Sequence, residues 1–534
     1  MSPSPTTVPP TSSVHAYEHD GAPVEPPAHA TVIATLLERA RTTPDRACVT
    51  WVPEEGAPRV LTYGELERRS RALADALLRR QAPGETVALL PGNDLPSVTA
   101  VFATLRAATP CLFLDPGDPE HRLRAVLREH PAATVLCSPF AGEHARGLAD
   151  LVLNDAPDTV AGPPLPGDGT VPAEDPAFLF GTSGSTAASK LVVQPHRALT
   201  SNAEAVRRHH GLDGATTLLG GLPIHHVNGV HFTLVAVVHS GAHVVLPQRI
   251  SPFGHRALID AHRPHIVSLV PPVLQMLLAT GRGWRPPGGL RHFVSAAAPL
   301  PAALAREVLE TFGVRVLQGY GLSETTNFST TMPTGLPDAV YRTVTLDVDI
   351  PSVGVALPGN EVEVFTPDGT LLGEGRTGEI RMRGHNVMSG YAGRPDLTAD
   401  AFAGGWFHSG DLGHWRTGPD GLRYFHLTGR DKNMAKVRGE SVSLEEVERA
   451  LVSLPGVADA ACLSVPHPAW GEQLVALVAA PHRDLRAIRE ELAALVPVAA
   501  LPTGWQQLDR IPRTATGKLR RPRLAELYGA GEGP

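Results

Sequence analysis

From Thr31 to Arg41 the chain reads TVIATLLERAR, and Val32, Leu36, Leu37 and Ala40 fall on one face of a helix. A strand is predicted over 47–52. From about Thr62, Tyr63-Gly-Glu-Leu-Glu opens a long Ala/Leu/Arg stripe of helical period. Short apolar runs then alternate with helical stretches: a strand over 87–90, a helix over 95–107, a strand over 110–114, a helix over 120–129 and a strand over 134–137. The order returns further on, with strands over 217–222, 242–246, 266–270, 293–296 and 314–318 between helical stretches. This alternation is the rhythm of an α/β fold with doubly wound parallel sheets.

Between Ser352 and Tyr424 the pattern changes. Short runs are separated by glycine-rich turns, TPDGT, GEGRTGE, MRGHN and GPDG, which predicts a small β-rich subdomain. After Leu427-Thr-Gly-Arg come a strand, an amphipathic helix over 443–454, a strand over 460–465, a helix over 485–495 and a basic C-terminal segment. Together they predict a compact α+β unit. Ser443 is placed to cap its first helix, with Glu446 as the capping-box partner. The expected organisation is a disordered tail over 1–28, a large domain over 29–431 and a small domain over 432–534.

Composition narrows the setting. A chain of 534 residues is too long for one core and divides into domains. Its net charge of -7 offers no general attraction to nucleic acid. Cys48, Cys111, Cys137 and Cys462 are widely spaced, without zinc-ligand or disulfide patterning, which points to a reducing cytoplasm. No apolar run approaches the roughly 20 residues of a membrane span. The tail, rich in Pro, Ser and Thr, has neither an apolar core nor a basic leader and is read as neither signal nor anchor.

One bias does change the picture. Only four lysines occur against 43 arginines (47 basic residues less 4), and Lys190, Lys432, Lys436 and Lys518 all fall in segments suited to phosphate chemistry. A lysine kept where arginine serves elsewhere implies a need for a compact, flexible ammonium. GTSGSTAASK, residues 181–190, follows an apolar strand and mixes glycines and hydroxyls with a terminal lysine. Such a loop can wrap N–H groups and hydroxyls around phosphates, although its composition equally suits a flexible linker. Its spacing excludes the GxxxxGK[ST] phosphate loop. GYGLSETT, residues 319–326, sets a hydroxyl beside a carboxylate, Ser323 and Glu324, suited to an α-phosphate and Mg²⁺ or to simple helix capping. In GWFHSGDLG, residues 405–413, Asp411 stands at a turn where a carboxylate can clasp ribose hydroxyls or merely face solvent.

Together these segments resemble the adenylate-forming superfamily of acyl-CoA synthetases, firefly luciferases and nonribosomal-peptide adenylation domains. The resemblance runs from Leu61-Thr-Tyr-Gly-Glu-Leu to Pro512-Arg-Thr-Ala-Thr-Gly-Lys518, with five motifs in the family order. It implies that Thr182, Ser183, Gly184, Ser185, Thr186 and Lys190 form a phosphate loop. Adenine is expected against Ala297, Ala298 and Pro299 and the turn Gly319, Tyr320 and Gly321, with Ser323 near the α-phosphate and Glu324 on Mg²⁺. Asp411 and Arg430 match ribose contacts, and Lys432 the hinge of a mobile small domain. Lys518 matches the catalytic lysine, with Glu324 and His226 as the other groups at the reacting centre. His225, His226, Val227 and Asn228, with Ala298 and Gly321 opposite, are expected to shape the acid pocket. Lys436, Arg438 and Gly439 are expected to border an acceptor tunnel.

Two departures stand out. Ala187-Ala188-Ser189 replaces the usual Gly and Pro before the loop lysine, which stiffens the loop. His225 replaces a common Phe; as a metal pair, His225 and His226 lack carboxylate or Cys companions in the sequence. The implied function is an ATP-dependent ligase that forms an acyl-adenylate of a small aryl or enoic acid and then its coenzyme A thioester. An amine, a carrier protein or nitrite is the alternative acceptor, and a non-catalytic nucleotide sensor the alternative class. ATP, Mg²⁺, a small carboxylic acid and coenzyme A are the implied ligands, with neither nucleic acid nor membrane; the oligomeric state is left open, a homodimer included.

Overall fold

The computed structural model describes residues 31–154, 163–169, 171–181, 190–249, 254–281, 283–437, 440–467, 471–514 and 517–531. The tail over 1–28, the loop residues Thr182, Ser183, Gly184, Ser185 and Thr186 with the departures at Ala187-Ala188-Ser189, and Arg438 and Gly439 lie outside the described residues.

Two large sheets lie side by side. In the seven-stranded sheet the order is Gly390–Tyr391, Leu191–Pro195, Pro176–Gly181, Cys111–Phe113, Val87–Leu90, Thr134–Cys137 and Leu151–Val152. In the nine-stranded sheet Arg315–Tyr320, His292–Ser295, Ile266–Leu269, Thr217–Leu219, His243–Pro247 and Ala47–Val52 run parallel. The edges depart from a purely parallel plan. Arg59–Thr62, Thr330–Thr331 and Leu191–Pro195 all pair antiparallel with their neighbours.

Helix Leu95–Arg106 is buried along its whole length, and residues of both sheets pack around it in one continuous core. Its Ser97, Thr99, Thr104 and Arg106 are buried along with its apolar residues, so the helix is covered on every side. Helix Tyr63–Leu78 starts with a capping box: Thr62 Oγ1 accepts from Glu65 N–H at 3.2 Å, and Glu65 Oε2 accepts from Thr62 N–H at 2.8 Å. The predicted strand over 314–318 runs instead from Arg315 to Tyr320, because Gly319 and Tyr320 find an antiparallel partner in Thr330–Thr331.

The β-rich region is a four-stranded antiparallel sheet, Asn360–Phe365, Gly378–Gly384, Phe407–Thr417 and Arg423–Arg430. Its core takes in Val192 and Tyr320, which ties it to both large sheets. From Met434 onward a five-stranded sheet carries helices Leu444–Ser453 and Leu485–Ala493 over a core of its own. Ser443 caps the first, its Oγ accepting from Glu446 N–H at 3.3 Å.

Candidate active site

The predicted site segments stand at strand ends of both large sheets, Gly181 closing one strand and Tyr320 another, where open α/β sheets place their ligand sites. Strand Pro176–Gly181 leads into the glycine-rich loop, and Lys190 stands where the chain returns. The Lys190 ammonium lies over the ring of Tyr391, 4.9 Å from its centroid. The Tyr391 hydroxyl donates to Glu324 Oε1 at 3.0 Å. One aromatic ring thus joins the loop lysine to the predicted Mg²⁺ carboxylate, and no motif had singled out Tyr391. It arrives because Gly390–Tyr391 pairs antiparallel with Val192 and Val193.

Glu324 and Ser323 occupy a 3₁₀ turn, Ser323–Thr325, directly after the Gly321 bend. Gln194 Nε2 donates to Ser323 O at 2.8 Å, fixing that turn to the other sheet. Only glycine fits at 321, since a Cβ there would lie 1.6 Å from Asn327 O. Ala297 adopts φ +68°, a left-handed conformation costly for any residue with a Cβ. The next residue, Ala298, faces the small domain: a Cβ on Gly517 would lie 3.3 Å from Ala298 Cβ.

Asp411 and Arg430 are opposite partners in adjacent antiparallel strands. Arg430 Nε sits 2.7 Å from Asp411 Oδ1, and the Tyr320 hydroxyl donates to Asp411 Oδ2 at 2.7 Å. Each carboxylate oxygen keeps a further lone pair, so the group can still accept from hydroxyls. Burial pushes the Asp411 carboxyl up, against the pull of Arg430 and Tyr320.

Lys518 joins this group from the small domain. Lys518 is an exposed residue, yet its ammonium is held below the ordinary lysine range, first by desolvation and then by Arg430, while Asp411 and Glu324 oppose the shift. The hairpin behind it is fixed by Arg513, which forks onto both oxygens of Asp459 at 2.8 and 2.7 Å and donates to Gly517 O at 2.7 Å. Lys432 follows strand Arg423–Arg430 in a 3₁₀ turn, and burial and the neighbouring Arg430 lower its ammonium too. Lys436 is exposed on strand Met434–Val437, its backbone N–H donating to Glu472 Oε2.

The histidine segment lies within electrostatic reach of Lys518. The rings of His225 and His226 lie 4.3 Å apart, and burial depresses both, His226 to about 3 with a further push from His225. Both are neutral near pH 7. The lysine at 518 also acts on His226, so the two share an electrostatic neighbourhood. Contrary to the expectation from sequence, a carboxylate does stand by: Asp115 Oδ1 lies 3.6 Å from His225 Nε2. Among the described residues, though, no group of three or more His, Cys, Asp or Glu assembles as a metal site. Val227 packs at the core edge, and Asn228 Nδ2 donates to Asn327 Oδ1 at 3.2 Å.

Asn93, which sequence reading passed over, holds this segment in place. Its Oδ1 accepts from Ile224 N–H at 3.0 Å, and its Nδ2 lies 3.3 Å from Pro247 O and 3.4 Å from Leu222 O. The only signal available was an asparagine at a strand end just before the Asp94 helix cap.

Known proteins share this arrangement. The AMP-binding enzyme family matches residues 36–392 and its C-terminal domain residues 446–518. The sulfoacetate–CoA ligase of Cupriavidus necator is 30% identical over 524 residues, 94% of this chain and 99% of the relative. The feruloyl-CoA synthase of an Amycolatopsis species is 31% identical over 488 residues, 88% of this chain and 94% of the relative. The structure of the Bacillus subtilis o-succinylbenzoate coenzyme A synthetase with ATP and a magnesium ion superposes with a TM-score of 0.79 at 25% identity, over 92% of this chain and 99% of that one. The fold, the order of the motifs and these matches together place the chain in the family of AMP-binding enzymes, as an adenylate-forming ligase.

Proposed function

We propose that the protein activates a small aryl or enoic carboxylic acid with ATP and transfers the acyl group to coenzyme A. The observation that carries this reading is the meeting of Lys518, from the small domain, with Arg430, Asp411 and Glu324 of the large domain. In the first step a carboxylate oxygen of the acid attacks the α-phosphorus of ATP, the bond to the bridging oxygen breaks, and pyrophosphate leaves. Negative charge builds on the α-phosphate oxygens. The Lys518 ammonium is suited to stabilise it, as a preorganised charge aimed at where negative charge develops. Asp411 and Arg430 are assigned to the ribose, Ala297, Ala298, Pro299, Gly319, Tyr320 and Gly321 to the adenine, and Ser323 to the α-phosphate. Lys190 and the loop over 182–186 are assigned to the departing phosphates.

Glu324 brings a single carboxylate, which fits Mg²⁺ shared with phosphate oxygens. When bound there, the ion neutralises charge on the leaving pyrophosphate. His226 and His225, both neutral, form the wall against which the acid lies. In the second step the coenzyme A sulfur attacks the acyl carbon, AMP leaves, and the thiol proton passes to solvent. We assign the approach of the thiol to Lys436, Arg438 and Gly439 after the small domain, 432–534, turns about Lys432.

The test is pyrophosphate release across a panel of acids, followed by coenzyme A consumption with the best of them. Acid-dependent pyrophosphate release with matching thioester formation is the expected result. Release without any loss of free thiol moves the acceptor to an amine, a carrier protein or nitrite.

A further inference from the structure

The turn that follows His226 carries a second polar pair, deeper in the fold. Asn228 and Asn327 are 7% and 3% exposed. The bond between Asn228 Nδ2 and Asn327 Oδ1 uses one polar atom of each amide. Asn228 Oδ1 and Asn327 Nδ2 are left, both buried and without a hydrogen-bond partner among the described residues. Buried polar atoms are nearly always paired. Two orphans on two bonded side chains, one acceptor and one donor, mark a place where something else completes the bonding. Exchanging oxygen and nitrogen in both amides leaves the same set, one acceptor and one donor.

The backbone puts this pair between the two sides of the acid pocket. Asn228 lies two residues after His226, in the helical turn Val227–Val230. Asn327 O is the atom that crowds Gly321. Between Gly321 and Asn327, Thr326 takes φ +67°, and its hydroxyl donates to Asn386 O at 2.6 Å. Asn386 Nδ2 in turn donates to Thr325 O at 3.0 Å. A strained residue held on two sides fixes Asn327 in one position. One turn beyond Asn228, His231 is buried with its Nε2 2.8 Å from Gln194 Oε1 and its Nδ1 unpartnered among the described residues. Burial keeps that ring neutral.

These three side chains are uncharged, and that chemistry selects. A second carboxylate or a sulfonate only accepts, so it would set its oxygens against Asn228 Oδ1 and leave that acceptor unpaired. An alkyl or plain aryl end would leave both orphans buried. A hydroxyl donates one bond and accepts another, which matches the pair atom for atom.

We propose that Asn228 and Asn327 read the far end of the acid, and that the substrate is a monocarboxylic acid bearing there a hydroxyl group, phenolic or alcoholic. This deepens the ligase reading and rests on it. The experiment compares benzoic and 3-phenylpropenoic acids, each as the parent, the ring-hydroxylated and the ring-carboxylated compound. ATP–pyrophosphate exchange gives kcat/KM, and titration calorimetry gives acid binding in the presence of a non-hydrolysable ATP analogue.

Wild-type protein is expected to favour a hydroxylated acid by about 10²-fold over its parent and its carboxylated partner, as sites built to bond a hydroxyl do. Asn228→Val and Asn327→Val are each expected to erase most of that preference while the KM for ATP stays put. A merely structural role would weaken all the acids alike. Should the valine variants fail to fold, the isosteric Asn228→Asp serves: with acceptors on both residues, preference should turn from the hydroxyl to a ring amine. Exchange that shows no hydroxyl preference, or a preference untouched by the variants, sinks the pocket assignment alone. If calorimetry ranks the hydroxylated acid first but no acid supports exchange, the ligase reading fails and the assignment stands. Neither exchange nor binding overturns both.

Discussion

The Tyr391 hydroxyl lies 3.0 Å from Glu324 Oε1, and the face of the same ring receives Lys190. The carboxylate assigned to Mg²⁺ therefore cannot swing freely. A hydrogen bond to a charged group contributes about 1.5–3 kcal/mol. Tyr391→Phe keeps the ring under Lys190 and removes only that bond. It is expected to slow ATP–pyrophosphate exchange roughly 10–10²-fold and to raise the Mg²⁺ concentration needed for half-maximal rate. Exchange that is unchanged at both low and saturating Mg²⁺ would remove Tyr391 from the site.

Lys518→Ala should lose about 10²–10³ in the rate of adenylation, the typical cost of removing one preorganised contact to developing charge. ATP binding should change little, because Arg430, Asp411 and the adenine turn remain. The ammonium must be protonated to act, and its surroundings lower its pKa. Adenylation should thus fall on an alkaline limb below the usual lysine value, and Lys518→Arg should move that limb upward. An alkaline limb that stays where it was in Lys518→Arg assigns the titration to another group.

Gly517 has φ +83° and rests against Ala298 and Pro272 of the large domain. A side chain there opposes both the turn and the docked position. Gly517→Ala should strain the turn by about 1–2 kcal/mol and press its Cβ against Ala298, slowing adenylation roughly tenfold. Thioester formation from acyl-adenylate supplied ready-made should be spared, because that half-reaction does not need Lys518 in place. Equal losses in both half-reactions would contradict a moving small domain.

Acid should destabilise the protein earlier than carboxylate titration predicts. Burial holds His196 and His426 to about 4 and His231 and His292 to about 3. An unfolded histidine titrates near 6.5. The depressed groups bind protons more weakly when folded, so their contribution is fully present above about pH 6.5 and is lost as pH falls toward their folded values. Thermal melts between pH 7.5 and 4.5 should show Tm falling from about pH 6 downward, without a plateau at pH 5. A flat Tm over that range would show that these rings take up protons as readily when folded as when unfolded.

Much of the site could be read from the chain because adenylate chemistry uses contiguous segments. Asp411, Arg430, Glu324 and Lys518 stand in such segments, and their assignment rests on the motifs taken together rather than on any one of them. Their partners could not be read that way, because pairing is set by register over long separations. Asp411 meets Arg430 through the hairpin of strands Phe407–Thr417 and Arg423–Arg430, and Tyr320 through a contact 91 residues away. Tyr391 and Asn327 owe their positions to a two-residue strand and a bend at positive φ, neither of which leaves a periodic trace. The same blindness explains the antiparallel edges: Thr330–Thr331 is too short to show a pattern, yet it extends its neighbour to Tyr320.

The charges around Lys518 also set an order of events. Lys518, Arg430 and Lys432 share one neighbourhood, balanced by Asp411, Glu324 and Glu445. Without a polyphosphate, seating the small domain brings like charges together. With one, the same approach is attractive. Nucleotide capture and domain seating are therefore thermodynamically linked, each tightening the other by the same factor. Raising ionic strength, by screening the triphosphate, should loosen the seated arrangement as well as the nucleotide. On the function proposed above, Lys518 would then act as a charge sensor as well as a catalyst, its arrival favoured by bound polyphosphate and its withdrawal by the loss of pyrophosphate.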